Sequence, residues 1–444
     1  MADGSGQSRH PLQRPPFGNP ATHAGHPLDF DPEFDISFRH PAYKDPSDIL
    51  IILPGLDHPQ GGIHHHTALA ACAIVANNRF DGWFTEDREG KVPVNVPSDG
   101  VLQNRDYYFQ VTSNYKEVYP IVPNFAHWEF PHNRLPSSWK VGIPRVAEHP
   151  TPRQSTLNEV ILSRDTRCRI TNHIEGTECA HLVPRSEKAW FERNMMARYG
   201  RMRPGLDFID NPRNVVLLRS DIHTSFDSKR FAFVPKPALA VPSVSVSSDA
   251  TPSTTSPPTT TSSATASSTA RSYAFVTHVF SSPDPHELTC LYHNVALQTL
   301  TGIVPEYLFA RFAWTIFPFV SMFLQAGIPR RLVMCDFTAS TDPNSSDLFR
   351  TKTLTGEECR LLPLRSKSRS ASPKKRKPPD GEEDQVSGNL EGDEMASSLG
   401  SSFGSERVVD GPWYASPSEE EDSGTETDIS EALLMQVDHS RKKA

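Results

Sequence analysis

Asn214-Val-Val-Leu-Leu-Arg-Ser-Asp-Ile-His-Thr-Ser-Phe-Asp227 is the stretch from which the rest of the chain can be read. Asn214 opens a short apolar run, Val215 to Leu218, of strand character. Ser220 is then a good N-cap for a helix that starts at Asp221. On that helix His223 and Asp227 stand at i and i+4, so both side chains leave one face about one turn apart. An imidazole and a carboxylate so placed suit one divalent ion with open water positions, Mg, Mn or Zn.

Upstream, Cys179-Ala-His-Leu-Val-Pro184 reads as a strand that ends before Pro184, which puts His181 at a rim that a substrate can reach. His181 is the candidate general base, because imidazole titrates near neutrality. The side chain of Asn214 is placed to hold the loop that carries His181. Side chains alternate along a strand, so Glu178 shares a side with position 180 and is a third candidate ligand, directly or through water. Residues 161–237 hold 14 Lys and Arg against 9 Asp and Glu, a net of +5 in a chain of net charge −8. A locally positive field suits a phosphodiester ligand, because neutralising phosphates releases counterions. Arg185, Arg198, Arg201, Arg203 and Arg219 are the candidate phosphate contacts, with a helix expected over the insert Ser186–Gly200.

These residues carry a family resemblance. The window Cys168 to Lys236 resembles the HNH endonuclease domain, in the version found in fungal proteins of largely unassigned function. His181 matches the first histidine of that motif, Asn214 its asparagine and His223 its last histidine, with Asp227 where related nucleases often place a second ligand. The resemblance implies two strands and a helix around one metal ion, and nicking or cutting of DNA. The sequence departs from the pattern twice. Ala180 stands where many such sites carry an Asp or His ligand, and 33 residues lead from His181 to Asn214 where compact domains use fewer. Two assignments stay open: His181 as base with Glu178 completing the ligands, or His181 as a ligand with the base elsewhere.

The expected fold class is α+β, a ββα core that grips a metal, embedded in a mixed α/β domain with long disordered N- and C-terminal tails. Residues 1–33, rich in Pro, His and Gly, are expected to be disordered. Residues 34–145 carry short apolar stretches at Ile49–Leu53, Tyr107–Val111 and Tyr119–Val122, and one small-residue helix near Ala68–Val75; they read as a mainly β region. His64, His65 and His66 precede that helix as a run that cannot easily share one ion, and stay outside the site. The nuclease-like domain occupies 160–237. A Ser/Thr/Pro-rich disordered insertion at 238–271 separates two alternating stretches, 231–234 and 273–280, which are expected to pair. The remainder, 272–340, holds that strand and two helices, Pro285–Leu300 and Pro305–Gln325, the second kinked at Pro318. Trp128 and Trp139 read first as core residues, with stacking on a base the alternative if either stands on the surface.

Beyond 345 the tail is expected to be disordered, with a basic cluster at 372–378 of the kind read by a nuclear import receptor and an acidic, hydroxyl-rich end. Six scattered cysteines without a CxxC pair indicate neither a disulfide framework nor a cysteine zinc ribbon. The first residues have no basic-then-apolar signal, so a nuclear or cytoplasmic and not a secreted protein is expected. The apolar run 312–324 reads as a buried helix, with no membrane role. Two functions compete: a metal-dependent endonuclease acting on DNA, and a nucleic-acid-binding or regulatory protein on a decayed HNH scaffold; a third, a purely protein-interaction role, rests on the tails alone. Oligomeric state is not set by the sequence.

Overall fold

Strand β1 (Asp35–Arg39) alternates as its composition demands, with Ile36 and Phe38 fully buried. It pairs antiparallel with β2 (Ile49–Pro54). Next come β3 (Ile63–His64), the helix α1 (His65–Val75), β4 (Trp83–Thr85), β5 (Val101–Leu102) and β6 (Asp106–Gln110). Strands β2, β1, β6 and β4 form one sheet in that order, with β1 and β6 parallel, while β3 and β5 make a separate short ladder. Helix α1 is apolar nearly all round, and Thr67, Ala68 and Ala70 to Val75 are all buried. This computed structural model describes residues 11, 13–18, 33–144, 156–200, 207–238, 273–337 and 348–362. The insertion, the tail beyond 362 with its basic cluster, Arg201 and Arg203 therefore lie outside the described residues.

The decisive region is built from α2 (Leu157–Asp165), β7 (Thr177–His181), α3 (Lys188–Arg193), β8 (Val215–Arg219) and α4 (Ser220–Asp227). A capping box between Thr156 and Glu159 starts α2. Strands β7 and β8 pair antiparallel, His181 opposite Val215 and Thr177 opposite Arg219. Both faces of β8 are covered. Val215 and Leu217 pack with Leu157 and Ile161 of α2, whereas Val216 and Leu218 join the main core with Ile222 and Phe226 of α4. This explains why the strand reads as an unbroken apolar run.

Strands β9 (Phe231–Pro237) and β10 (Tyr273–Val279) pair antiparallel from Phe231 with Val279 to Pro237 with Tyr273. After them come α5 (Glu287–Tyr292), α6 (Pro305–Ile316), α7 (Ser321–Gln325), β11 (Arg330–Cys335), β12 (Phe349–Leu354) and α8 (Gly356–Arg360), with β11 and β12 paired antiparallel. Pro318 falls in a tightened 3-10 turn, Phe317–Val320, between α6 and α7. The stretch 305–325 is long and apolar enough to cross a membrane by composition, but 78% of its window is buried inside the protein. Its apolarity is that of a core helix.

Several expectations need correction. Helix α4 begins at Ser220, with Arg219 at the N-cap position and no side-chain cap bond, so Ser220 is inside the helix. The insert 186–200 is broken: α3 ends at Arg193 and Met195 takes a left-handed φ of 48° before a 3-10 turn at Met196–Tyr199. The helix expected over Pro285–Leu300 is confined to Glu287–Tyr292. Beyond it Asn294 is left-handed and Ala296 forms a bridge with Val276, which draws the backbone onto β10. Tyr119–Val122 contributes only a bridge from Ile121 to Leu332. Within 1–33, Arg14 packs on the main fold, bridging to Val295 and donating to the carbonyls of Cys290 and His293. One core cluster runs from Ile36 to Cys359, so the window 160–237 shares its interior with both flanking regions. Trp128 and Trp139 belong to it, Trp128 stacking on Trp190 at 5.6 Å.

Because β9 and β10 are in full register on either side of the insertion, replacing residues 239–272 by a tight hairpin turn is expected to stabilise the chain. Each halving of a closed loop is worth roughly 0.6 kcal/mol. Urea unfolding should report a gain of about 1 to 2 kcal/mol. A variant that fails to fold would show instead that the inserted segment supports the core.

Candidate metal and hydrolytic site

Asn214 ends the 3-10 turn Pro212–Asn214 and is fully buried. Its side-chain oxygen accepts from Val183 N–H at 2.9 Å, and its amide donates to the carbonyls of Val183 at 3.0 Å and Ile209 at 2.9 Å. The residue thus clamps the segment that leaves β7 after His181, and also the turn before β8. Asp165 grips the hairpin from its other face. Its carboxylate takes Leu217 N–H and a bidentate Arg164, whose guanidinium also donates to Pro212 and Val215 carbonyls.

His181 is the last residue of β7. Its Nε2 is 2.9 Å from Asp210 Oδ1, which also accepts from Arg185 Nε at 2.7 Å. The hydrogen bond from His181, then Arg185, holds the Asp210 carboxyl down at about 2 against some desolvation. His223 has a different environment. Its Nδ1 is 2.9 Å from Glu178 Oε2 and its Nε2 is 3.4 Å from Asp227 Oδ2. Glu178, His223 and Asp227 therefore come together, but with the two carboxylates on opposite nitrogens of one ring. Alternation along β7 sends Glu178 toward α4 and His181 to the opposite face, beside the 3-10 turn Phe208–Asp210.

Arg311 of α6 joins the two halves. It is fully buried, its guanidinium lying 3.4 Å from the Phe226 ring centroid and 4.5 Å from that of Trp314. It donates to the carbonyl of Phe226, and its Nη1 stands 3.5 Å from the His181 carbonyl oxygen and 3.9 Å from Asp227 Oδ1. The ends of β7 and α4 are thus set on either side of one guanidinium nitrogen. Burial pushes Arg311 down to about 9, which leaves it a cation at neutral pH.

Of the expected phosphate contacts, Arg185 is paired with Asp210 and Arg219 with Asp221 and the Tyr292 hydroxyl, while Arg198 touches Met195 sulfur. Asp210, Asp165 and Arg311 were not found by sequence reasoning. Asp210 has no motif around it, and Arg311 lies 130 residues from the strand end it holds. A further group was also missed. Asp57, His278 and His293, all buried, bring potential ligand atoms within 4.8 Å of one another. The Lys236 ammonium is hydrogen-bonded to both Asp57 and His278, so a cation already sits there. With one carboxylate and a resident ammonium, that group does not fit a divalent ion.

Residues 168–234 match the family model described as HNH endonuclease. The match covers the hairpin, α4 and most of β9, and supports reading this window as an HNH domain. No curated protein matches the chain. No solved structure matches it either.

Two outcomes follow. Asn214→Ala leaves three buried backbone groups without partners and should destabilise the protein by about 2 to 4 kcal/mol in urea unfolding. Asp210 has a folded value below its ordinary 3.8, so its contribution is complete above about pH 4 and is lost as pH falls toward 2. Partial exposure keeps that contribution near 1 kcal/mol. Asp210→Asn should therefore flatten the stability profile between about pH 4 and 2, read by circular dichroism.

Proposed function

We propose that residues 168–234 form the site of a metal-dependent HNH endonuclease that hydrolyses phosphodiester bonds in DNA, with one divalent ion, Mg, Mn or Zn, as cofactor. The observation that carries this reading is the setting of His223 between Glu178 and Asp227. Two donors about 2.1 Å from a single ion stand roughly 3 to 3.4 Å apart. The 3.4 Å between His223 Nε2 and Asp227 Oδ2 fits that spacing, and is long for a charge-assisted hydrogen bond. His223 and Asp227 are then the ligands. Glu178, expected as a ligand, is the carboxylate that fixes the imidazole through Nδ1. When bound, the ion supplies Lewis-acid charge to a phosphoryl oxygen.

The other half of the chemistry falls to His181. With Nε2 engaged by Asp210, Nδ1 is the nitrogen left to take a proton from the attacking water, and Asp210 stabilises the imidazolium that forms. Asn214 positions the backbone behind His181, and Arg311 fixes the end of β7 against the end of α4. The matching proposal for place is the nucleus, reached through an import receptor that reads 372–378.

A second reading, nucleic-acid binding on an inactive scaffold, is favoured by Ala180, which offers no donor. Plasmid nicking across a titration of magnesium or manganese separates the two. Activity should require added metal and fall by about 100-fold or more in His181→Ala, with stability lowered by no more than about 1 kcal/mol and a cooperative unfolding transition retained. Glu178→Gln should weaken manganese binding, measured by calorimetry, by roughly 10- to 100-fold. Salt-sensitive DNA retention without cleavage under any metal would sink the enzymatic reading and support the second.

A further inference from the structure

Away from that site, Lys236 of β9 is fully buried together with Asp57, His64, His278, His293 and Asn294. Lys236 Nζ donates to Asn294 Oδ1 at 2.6 Å, to Asp57 Oδ1, and lies 2.9 Å from His278 Nδ1. Asp57 Oδ1 also accepts from Asn294 Nδ2 at 2.8 Å and from His293 Nε2 at 3.1 Å. One carboxylate oxygen thus touches both the lysine nitrogen and the nitrogen of the carboxamide that the lysine addresses.

We propose that Lys236 and Asn294 are the two ends of an intramolecular isopeptide bond, formed by attack of the lysine amine on the asparagine carboxamide with Asp57 as proton carrier. The arrangement has what that reaction needs. A nucleophile is held against a carbonyl in a fixed orientation, which removes most of the entropic barrier of a bimolecular reaction. Asn294 is locked in a left-handed conformation, its N–H on the Thr277 carbonyl and its carbonyl bridged toward the N-terminal strap at Arg14. Asp57 is fixed through its second oxygen by His64 N–H at 2.6 Å. Burial excludes competing water and lowers the Lys236 ammonium, against the pull of the adjacent Asp57 carboxylate that keeps the two groups paired. Burial likewise keeps His278 and His293 neutral, so neither competes as a cation for Asp57.

The step balances without any further reactant. One ammonium proton passes from Nζ to Asp57, leaving a free electron pair that forms the Nζ–Cγ bond. Asp57 returns that proton to Nδ2 and takes the second from Nζ. The Cγ–Nδ2 bond then breaks, and its electron pair leaves with nitrogen as ammonia. No group is oxidised or reduced. The product is a neutral amide beside a protonated Asp57, which replaces a buried ion pair by two neutral groups and relieves its desolvation. The linked residues are 58 apart and close the segment that carries the insertion, β10 and α5.

The test is the mass of the folded, full-length chain measured after denaturation. The chain should be lighter than its sequence by one ammonia, and digestion should yield a branched peptide joining the segments of Lys236 and Asn294. Asn294→Ala and Lys236→Arg should each show the full sequence mass, whereas Asn294→Asp should link with loss of water instead. A folded wild-type chain of full mass, with Lys236 and Asn294 recovered in separate linear peptides, overturns the proposal. Because that result needs no variant, misfolding of a mutant does not protect the idea.

Discussion

A guanidinium taken out of water has to find its partners inside the protein, and the site is arranged around one, Arg311. Its plane lies on Phe226 and its donors meet the last turn of α4 and the last carbonyl of β7. A lysine could not replace it, since a point ammonium neither stacks over the ring nor forks between two carbonyls. The hairpin and α4 are contiguous with each other, but their relative setting is imposed by a helix far along the chain. Truncating Arg311 would leave Phe226 and Trp314 facing a void and take from the His181 carbonyl its side-chain donor.

The same reliance on remote elements runs through the rest of the fold. Trp314 Nε1 donates to Glu187 at 3.0 Å and Trp190 Nε1 to the Trp128 carbonyl at 2.8 Å, so the first part of the irregular insert between β7 and β8 is anchored by two indoles. Arg330 is buried in a second cation site, stacked between Tyr43 and Phe323. These contacts join the N-terminal sheet, the hairpin region and the C-terminal helices into one interior. The family match is confined to one stretch of it, but the physical unit that positions the stretch is several times larger.

What could be read from the sequence was local. The run Val215–Leu218, the helix bearing His223 and Asp227, and the pairing of 231–234 with 273–280 rest on short-range pattern, and strands and a helix stand there. Asn214 was legible for the same reason, because its partners Val183 and Ile209 are fixed by the hairpin it opens. Propensity failed where a long-range contact overrode it. The insert looked helical, yet the Asn194 side-chain oxygen accepts from Phe130 N–H at 2.8 Å and the helix stops there. The stretch after Tyr292 looked helical, yet its backbone groups are taken by β10 and by Arg14. Asp210, Arg311 and the Lys236 cluster had no local signature, since each acquires meaning only from a partner brought in by tertiary structure.

Ala180 illustrates how the interior constrains the chemistry of the rim. It has no exposed surface and packs in the core that also holds Ile222 and Phe226. A carboxylate or imidazole at that position would be desolvated against apolar side chains, at a cost of several kcal/mol. Two residues earlier the same strand face emerges into solvent: the Glu178 side chain is 57% exposed, and it is the group that reaches His223. The absent donor at 180 and the contact made from 178 are thus one consequence of how deeply β7 is sunk. With the strand at this depth, an anionic group can address the α4 imidazole only from the end of β7 where Glu178 stands, on the ring nitrogen turned away from Asp227.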